Sequence, residues 1–301
     1  MSQTLTGQLD KTQALARKLQ AERRRSVKKL LGKAPLAVIV GLLLVVVIYP
    51  LVWLLQSSFK TTVEFATQPT WALPKGFAWQ NYVQAWNSGM GTYYLNSILA
   101  VFPSLLLILA ISVSAAFALE VMTWRLRNPV LLLFLAGIMV PLQLVLLPLF
   151  TIYFQASLID TRWALIITYT AFGLPLSVFL MAGFFKSVPR EVMEAAVLDG
   201  ASIYKVFYRV ALPMVANGLV TIALVQFFFL WNDLLFTLTF ISSDSNRTIQ
   251  TGLLNFTGQY GQVDWGPTFA AISLAVIPTL ILYLVLNQQV IKGLASGSLK
   301  G

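Results

Sequence analysis

The sequence predicts an all-α integral membrane protein with six transmembrane helices and both termini in the cytoplasm. Three observations support this fold class: the apolar composition, six long apolar stretches, and the one-sided distribution of the basic residues. Of the 301 residues, 57% are hydrophobic and only 11% are charged, whereas roughly 25% are charged in soluble domains. Because the mean hydropathy is +0.76, a single soluble core could not bury all the apolar surface, and lipid must cover part of it.

Six stretches are long enough to cross the hydrocarbon core, which requires about 20 apolar residues per helix. They cover residues 34–55, 94–119, 129–154, 163–185, 214–240 and 267–290. All are free of charged residues except the fifth, which contains Asp233. Their length and the lack of a period of two exclude the strands of a membrane β-barrel. We therefore expect one six-helix domain over residues 34–290.

The basic residues predict the orientation of these spans. If the N-terminus is cytoplasmic, nearly all of the 21 Lys and Arg residues also face the cytoplasm, the exceptions being Lys60, Lys75, Arg162 and Arg247. This bias follows the positive-inside rule. Residues 1–33 are then a basic cytoplasmic arm held near anionic lipid, and residues 291–301 are a cytoplasmic tail.

The composition also excludes several kinds of chemistry. The chain contains neither His nor Cys, which rules out disulfides, Cys/His metal sites, Cys nucleophiles and His general bases. No G-x-x-x-x-G-K-[ST] phosphate-binding loop occurs, so the usual nucleotide site is missing. We interpret the net charge of +10 as a consequence of membrane orientation. We therefore expect no nucleic-acid partner, no metal and no cofactor bound by this chain.

The cytoplasmic loop between the fourth and fifth stretches predicts two short helices with a sharp turn between them. Ser187 can cap the first helix, and Pro189 suits its first turn. Gly200 can adopt the left-handed conformation that ends a helix, and Ser202 can cap the second helix. One face of the first helix would be apolar, with Val188, Val192, Ala195 and Ala196. The small side chains of Ala195 and Ala196 would allow the backbone of a partner to approach closely. An ordinary loop helix that covers its own bundle is the alternative.

The same loop resembles the EAA motif of ABC importer permeases. The family pattern is E-A-A, three residues, G, nine residues, I, any residue, then L-P. This sequence has Glu194-Ala195-Ala196, Gly200 and Val210-Ala211-Leu212-Pro213 at matching spacings, and Val210 in place of Ile is the one departure. The resemblance implies that an ATPase subunit couples through these residues: Glu194, Ala195, Ala196, Asp199, Gly200, Leu212 and Pro213.

Other segments narrow the resemblance to the carbohydrate-uptake permeases, similar to the second permease subunit of the maltose transporter. They are residues 57–61, 81–82, 95–97, 170–175, 231–233, 264–266 and 293–301. The resemblance covers roughly residues 34–301. Residues 1–33 are longer than expected for the family, and no role is carried over to them.

The resemblance implies a division of labour among several chains. A homologous permease subunit would complete the pathway as a heterodimer, and an extracytoplasmic solute-binding protein would deliver a sugar or oligosaccharide. Two cytosolic ATPase subunits would use ATP and Mg. The chain would then be a transport subunit and not an enzyme, placed in the cytoplasmic (inner) membrane of a bacterium or archaeon.

The polar residues of the fifth stretch are predicted to line the substrate pathway. A charge such as Asp233 costs about 2.5–3.5 kcal/mol at the bilayer centre and is a functional hypothesis by default. Asn232 can both donate to and accept from a sugar hydroxyl, and Trp231 can stack on a sugar ring. Two alternatives stay open: Asp233 can be hydrated or capped by a neighbouring helix, and Trp231 can be an interfacial anchor.

The last outer loop contains Gly258-Gln259-Tyr260-Gly261. It resembles the place where the family inserts a loop into the binding protein. Glycine allows backbone freedom, while Gln259 and Tyr260 offer hydrogen-bonding groups. An ordinary glycine turn is the alternative.

Two other classes of protein fit less well. An ion-gradient-driven secondary transporter needs ion ligands or a proton relay in its spans, usually with repeat symmetry, and the sequence offers one Asp, no His and no visible repeat. An integral membrane enzyme needs clustered carboxylates, His or a nucleophile at one membrane face, and no such cluster occurs.

Overall fold

The computed structural model describes residues 35–257 and 263–298, and every regular element in this part of the chain is helical. The chain divides into two units, Met1–Gln56 and Ser57–Gly301. In the first unit the structure describes helix α1 (Pro35–Ser57), which ends at the start of the second unit. The most apolar 18-residue part of this helix has no buried residue. The second unit contains all the other described helices.

The second unit combines long helices with short connecting ones. The long helices are α4 (Gly91–Glu120), α7 (Arg162–Lys186), α11 (Ala216–Trp231) and α14 (Trp265–Ser298). The shorter ones are α2 (Thr62–Thr67), α3 (Gln80–Ala85), α5 (Arg127–Ile138), α6 (Leu142–Gln155), α8 (Arg190–Leu198), α9 (Ile203–Lys205), α10 (Leu212–Met214), α12 (Leu235–Phe240) and α13 (Ile249–Gly252). A kinked turn at Trp86–Met90, where Gly89 has φ of +112°, joins α3 to α4, and a π-helical segment at Val206–Ala211 joins α9 to α10.

Four helical segments are long and apolar enough to cross a membrane: Pro35–Ser57, Gln80–Glu120, Arg162–Lys186 and Trp265–Leu286. Two bent pairs bring the number to six if each pair is one span. One pair is α5 with α6, bent by 97°, and the other is Ile203–Met214 with α11, bent by 70°. The described chain therefore agrees with the predicted all-α membrane class, while the count of six and the side of the termini stay predictions.

The third and fifth apolar stretches are not continuous helices. The third breaks between α5 and α6, where Pro141 is extended (φ −64°, ψ 125°). Proline has no N–H to donate and biases the residue before it away from the helical region. The fifth breaks after α11, and the chain resumes a helix at Leu235. An apolar run gives the length needed to span a bilayer, but it does not report where the backbone leaves the helix.

Small side chains let α4 and α7 pack closely. Ser104 and Ser112 of α4 and Ser177 of α7 are fully buried. A Cβ added at Gly173 would lie 2.5 Å from Cδ1 of Ile108. Small residues at a helix contact are typical of membrane helices, whose association depends on close van der Waals packing.

Two motif segments hold in place the connections that the sequence predicts to face outward. The Asn81 side chain donates to the carbonyls of Ser58 and Lys60, both at 2.8 Å. The Asn96 side chain donates to the carbonyls of Ser245 and Arg247 at 2.8 and 2.9 Å. Because these bonds join distant parts of the chain, segments 81–82 and 95–97 have a structural role in this fold.

Candidate functional site

The loop helix α8 begins at Arg190, directly after the extended residue Pro189. The prediction that Ser187 caps this helix is wrong: its Oγ donates to the Phe184 carbonyl at 2.7 Å and so closes the end of α7. α8 has no side-chain cap at its start. Glu191 lies in the first turn, where a carboxylate is favoured by the helix dipole.

The turn after α8 follows the prediction. Gly200 has φ of +79°, its N–H donates to the Val197 carbonyl, and the Ala201 N–H donates to the Ala196 carbonyl, both at 3.0 Å. These two bonds make a Schellman motif, which satisfies the last carbonyls of the helix. The second helical segment begins after Ser202, whose side chain makes no capping hydrogen bond.

The two sides of α8 have different surroundings. Met193 is buried, Ala196 packs against the same apolar cluster, and Val192 and Ala195 are exposed. Leu198 is 87% exposed. The predicted single apolar face is therefore wrong in part, since Ala195 and Ala196 lie in different surroundings. The alternative of a loop helix covering its own bundle accounts for the buried side alone.

The segment after Gly200 connects α8 to the membrane helices. Val206 and Ala211 are buried, and the ring of Phe207 packs edge-on against Phe117 of α4 with centroids 5.0 Å apart. Leu212 is half-buried, while Pro213 is exposed. Because this segment leads directly into α11, it joins the loop helix mechanically to the fifth stretch.

A groove of about 550 Å³ lies between α8 and the end of α4. Glu194 and Arg190 contribute to its lining, together with Glu120 and Lys186. The Lys186 amine lies 3.4 Å from a carboxylate oxygen of Glu120, which joins the ends of α7 and α4. Glu194 itself is exposed and is available to a partner.

A second cavity, here called the membrane cavity, has a volume of about 580 Å³. It lies where the breaks of the third and fifth stretches meet. Its lining includes Val140, Phe172, Gln226, Phe229, Asn232 and Asp233. The tertiary fold thus joins two interruptions that are far apart in sequence, and places the single charged residue of the predicted spans between them.

The Asp233 carboxylate organises the break in the fifth stretch. It accepts hydrogen bonds from the backbone N–H groups of Phe236 and Thr237, at 3.3 and 3.1 Å. It also accepts from the hydroxyls of Thr237 and Tyr169, at 3.0 and 2.9 Å. The carboxylate therefore caps α12 and ties it to α7, while the residue remains partly exposed in the membrane cavity.

Trp231 and Asn232 differ sharply in exposure. Trp231 is 3% exposed, stacks on Phe227 with ring centroids 5.3 Å apart, and donates from Nε1 to the Ala275 carbonyl at 3.1 Å. Its ring faces are therefore covered by protein. Asn232 is exposed, and its side chain donates to the Phe228 carbonyl at 2.9 Å.

Sequence reasoning missed two polar residues of this region. Gln226 is 3% exposed and donates to the Gly173 carbonyl and the Ser177 hydroxyl, at 3.0 and 2.9 Å. Tyr169 is buried and binds Asp233. Both are polar side chains in otherwise apolar stretches, so a search for buried hydrogen-bonding groups as well as charges would have found them.

The predicted binding-protein contact, Gly258, Gln259, Tyr260 and Gly261, lies outside the residues that the structure describes. Thr268, which follows this segment, donates from its hydroxyl to the Phe256 carbonyl at 3.1 Å. This hydrogen bond therefore joins the two described parts of the chain on either side of residues 258–262.

Comparison with known proteins gives the family. Residues 108–295 match the family described as "Binding-protein-dependent transport system inner membrane component". The chain belongs to this family. As a member it is a multi-pass component of the bacterial inner membrane and an ABC transporter permease. The matched region includes the loop helix and the membrane cavity.

Individual relatives support the same assignment. The chain is 34% identical over 271 residues to the "Probable ABC transporter permease protein YurM" of Bacillus subtilis, covering 90% of each chain. It is 34% identical to the "Diacetylchitobiose uptake system permease protein NgcG" of Streptomyces coelicolor, covering 85% of each. The "Melibiose/raffinose/stachyose import permease protein MelC" of Bacillus subtilis is 29% identical, with 84% of this chain and 91% of the relative covered.

A solved structure supports the fold. A chain of a bacterial ABC transporter involved in the import of the acidic polysaccharide alginate superposes with a TM-score of 0.74. The two chains are 20% identical, and the superposition covers 84% of this chain and 94% of the other. At this level of identity the likeness concerns the fold alone.

Proposed function

We propose that this permease forms half of the transmembrane pathway of a binding-protein-dependent importer for a sugar or oligosaccharide. The sugar class rests on the names of its relatives, which include permeases for diacetylchitobiose and for melibiose, raffinose and stachyose. In this proposal the chain has six spans with both termini cytoplasmic. A homologous permease completes the pathway, and an extracytoplasmic binding protein delivers the sugar.

The two-sided environment of α8 is the observation that carries the coupling proposal. Met193 anchors one side in the core of the chain, while Val192, Ala195 and Leu198 form an uncovered apolar side. Val192, Ala195 and Leu198 recur at every third position of α8, so they lie along one side of the helix and form a contiguous exposed apolar strip, a feature that marks interaction sites. We assign this side to docking on an ATPase subunit, with Glu194 and Asp199 at its edge. Two such subunits would carry ATP and Mg, and this chain would hydrolyse nothing.

The connection from α8 to the pathway is short and packed. Phe207 rests on Phe117 of α4, and the segment ending in Leu212 and Pro213 enters α11 after Val215. At the other end of α11 lies the membrane cavity with Asn232 and Asp233. A displacement of α8 by an ATPase subunit would therefore move the helix that lines the pathway.

The pathway role differs among the three residues of segment 231–233. Asn232 and Asp233 face the membrane cavity and are proposed to contact the sugar. Trp231 supports them from behind through its bond to Ala275. Gly258, Gln259, Tyr260 and Gly261 remain the proposed contact with the binding protein.

The test of coupling uses the purified assembly of both permeases, both ATPase subunits and the sugar-loaded binding protein. We assign Glu194 to a basic group of the ATPase subunit, so Glu194→Lys should repel that group, and Ala195→Trp blocks close approach on the exposed side of α8. We expect both to abolish the stimulation of ATP hydrolysis by the loaded binding protein.

The matched control is Asn128→Lys, which adds a basic residue at an exposed site in the other cytoplasmic connection and should leave the stimulation intact. Unchanged stimulation in both Glu194→Lys and Ala195→Trp would refute coupling through this loop. Sugar transport that survives without the ATPase subunits would instead favour an ion-gradient-driven transporter.

A further inference from the structure

The membrane cavity lies where the backbone of two membrane segments is irregular. The breaks occur at residues 139–141 and 232–234, and Val140 and Leu234 there are each 42% exposed in the described chain. At membrane depth, non-helical backbone is tolerated only where protein buries it or where it lines a water-filled cavity. Since neither break is buried within the described chain, this face is suited to an aqueous pathway or to the partner permease of the proposed function, and not to lipid.

The cavity carries a negative charge with no positive counterpart in its lining. The four hydrogen bonds described above for the Asp233 carboxylate are all accepted ones, from Phe236, Thr237 and Tyr169. Backbone N–H groups can only donate, and both hydroxyls can donate as well, so hydrogen-bond donors surround the carboxylate. Among the described residues that line the cavity there is no Lys or Arg.

We propose that the membrane cavity is a subsite for a sugar ring that admits uncharged sugars and rejects acidic ones. The proposal rests on the proposed function and names the substrate class of its pathway. The volume of about 580 Å³ falls in the range of small-molecule sites, ~300–1,000 Å³.

Recognition and rejection use different groups of the cavity. Phe172 and Phe229 provide aromatic surface for the apolar face of a sugar ring, and the Asn232 amide provides a donor and an acceptor. A sugar carboxylate or sulfonate would instead meet the Asp233 carboxylate at short range, where like charges repel even beside water. That repulsion has no cation in the lining to offset it.

Cysteine labelling tests the charge of the cavity, because the chain has no Cys of its own. Leu234→Cys places one thiol in the lining. We compare its modification by a cationic methanethiosulfonate (the trimethylammonium-ethyl reagent) and an anionic one (the sulfonato-ethyl reagent) in the full transporter in nanodiscs. The increase in mass of this subunit, followed over time, gives the rate of modification by each reagent. Val83→Cys, exposed on α3, gives the reference ratio of the two reagents.

We expect the cationic reagent to be favoured at the thiol of Leu234→Cys by about tenfold over the reference ratio, from one carboxylate at short range. Adding Asp233→Asn to Leu234→Cys should remove this preference. Equal normalised rates, a preference that survives Asp233→Asn, or no reaction with either reagent would each overturn the proposal.

Glucose and glucuronate, at equal concentration, then serve as probes of the subsite. Glucose should slow the labelling of the Leu234→Cys variant and glucuronate should not, while in the Asp233→Asn background both should protect. Protection by neither sugar, or by glucuronate as well as by glucose with Asp233 present, would refute a subsite for uncharged sugars. The ATPase stimulation of the same Leu234→Cys sample is measured in parallel, so a failed subsite with intact stimulation removes the sugar contact at this cavity and leaves the proposed importer and its coupling standing.

Discussion

Single residues in the connections predicted to face outward combine tight packing with hydrogen bonds. Tyr93 is 1% exposed and its hydroxyl donates to Asp244 at 2.9 Å, which brings the ring against Gly252 of the connection before α14. Asp160 (φ +61°) accepts from the backbone N–H and the hydroxyl of Ser243. Burial by itself would raise the pKa of Asp160, but the hydrogen bonds from Ser243, Ser242 and Asn246 together outweigh it and hold the pKa below its usual value. These residues fix the loop that leads to residues 258–261.

Gly252 is a residue at which a single methyl group should be costly. A Cβ there would lie 2.1 Å from Cδ2 of Tyr93, and that ring is held by its hydrogen bond. We expect Gly252→Ala to destabilise the protein by about 1–3 kcal/mol, the usual cost of overpacking, measured as a lower melting temperature of the purified protein. Gly183→Ala is the control, since the described chain has no heavy atom within 4 Å of a Cβ there. Equal melting temperatures for the two variants would contradict the packing argument.

Glu64 should make the connection between α1 and α3 sensitive to acid. Its carboxylate accepts from the backbone N–H groups of Thr61 and Lys75, both at 2.7 Å, and these bonds lower its pKa. The stabilisation is complete above the pKa of unfolded Glu, about 4.3, and is lost as the pH falls through the lower folded value.

Hydrogen exchange over residues 61–75, corrected for the intrinsic rate, measures this effect. Protection should be constant above about pH 5 and should decline below about pH 4. Glu64→Gln should lower protection at neutral pH and remove most of the decline. A decline of the same size in Glu64→Gln would assign the acid sensitivity to another group.

At the scale of helices, the loop helix α8 depends on how it ends. Gly200 has φ of +79°, and within the described chain no heavy atom lies within 4 Å of a Cβ built there. A side chain therefore has room, and the cost of replacing glycine is purely one of backbone conformation. Substitutions at Gly200 therefore test the backbone conformation of the turn without disturbing side-chain packing.

We predict that Gly200→Val and Gly200→Asn will differ. A β-branched residue is penalised in the left-handed region by about 1–2 kcal/mol, whereas Asn visits that region readily. Gly200→Val should lose the stimulation of ATP hydrolysis by loaded binding protein, and Gly200→Asn should keep most of it. If both variants keep full stimulation, the angle set by this turn is not needed for coupling.

At the scale of the whole molecule, the buried apolar residues of the second unit form two clusters. One includes Tyr169, Trp231 and Phe240, beside the membrane cavity. The other includes Phe117, Met193 and Val206, beneath the loop helix. Three helices, α4, α7 and α11, each contribute residues to both clusters. The same helices therefore serve the proposed docking surface and the proposed pathway.

The orientation of the chain is a testable property of the whole molecule. Reporter fusions after Lys60 and after Arg247 should report the outside, and fusions after Arg127, Arg209 and Gly301 should report the cytoplasm. The expectation follows from the distribution of Lys and Arg. A cytoplasmic signal from the Arg247 fusion would break the six-span topology, and correct signals at the other sites would serve as its internal control.

Much of the fold and part of the site could be predicted because the relevant properties are local. The all-α membrane class follows from runs of apolar residues, and the family could be recognised from the spacing of Glu194, Gly200 and Pro213. The left-handed Gly200 is likewise a local matter, since a glycine after a short helix can end it without help from distant residues.

The tertiary structure alone decided what is buried and what is open. Asp233 is bound by Tyr169, 64 residues away, and Trp231 is covered through its bond to Ala275, 44 residues away. In the same way Met193, and not Val192, faces the core beneath α8. Each outcome depends on contacts between segments distant in sequence. Local periodicity could indicate that a residue lies in a membrane helix, but not which neighbour would cover it.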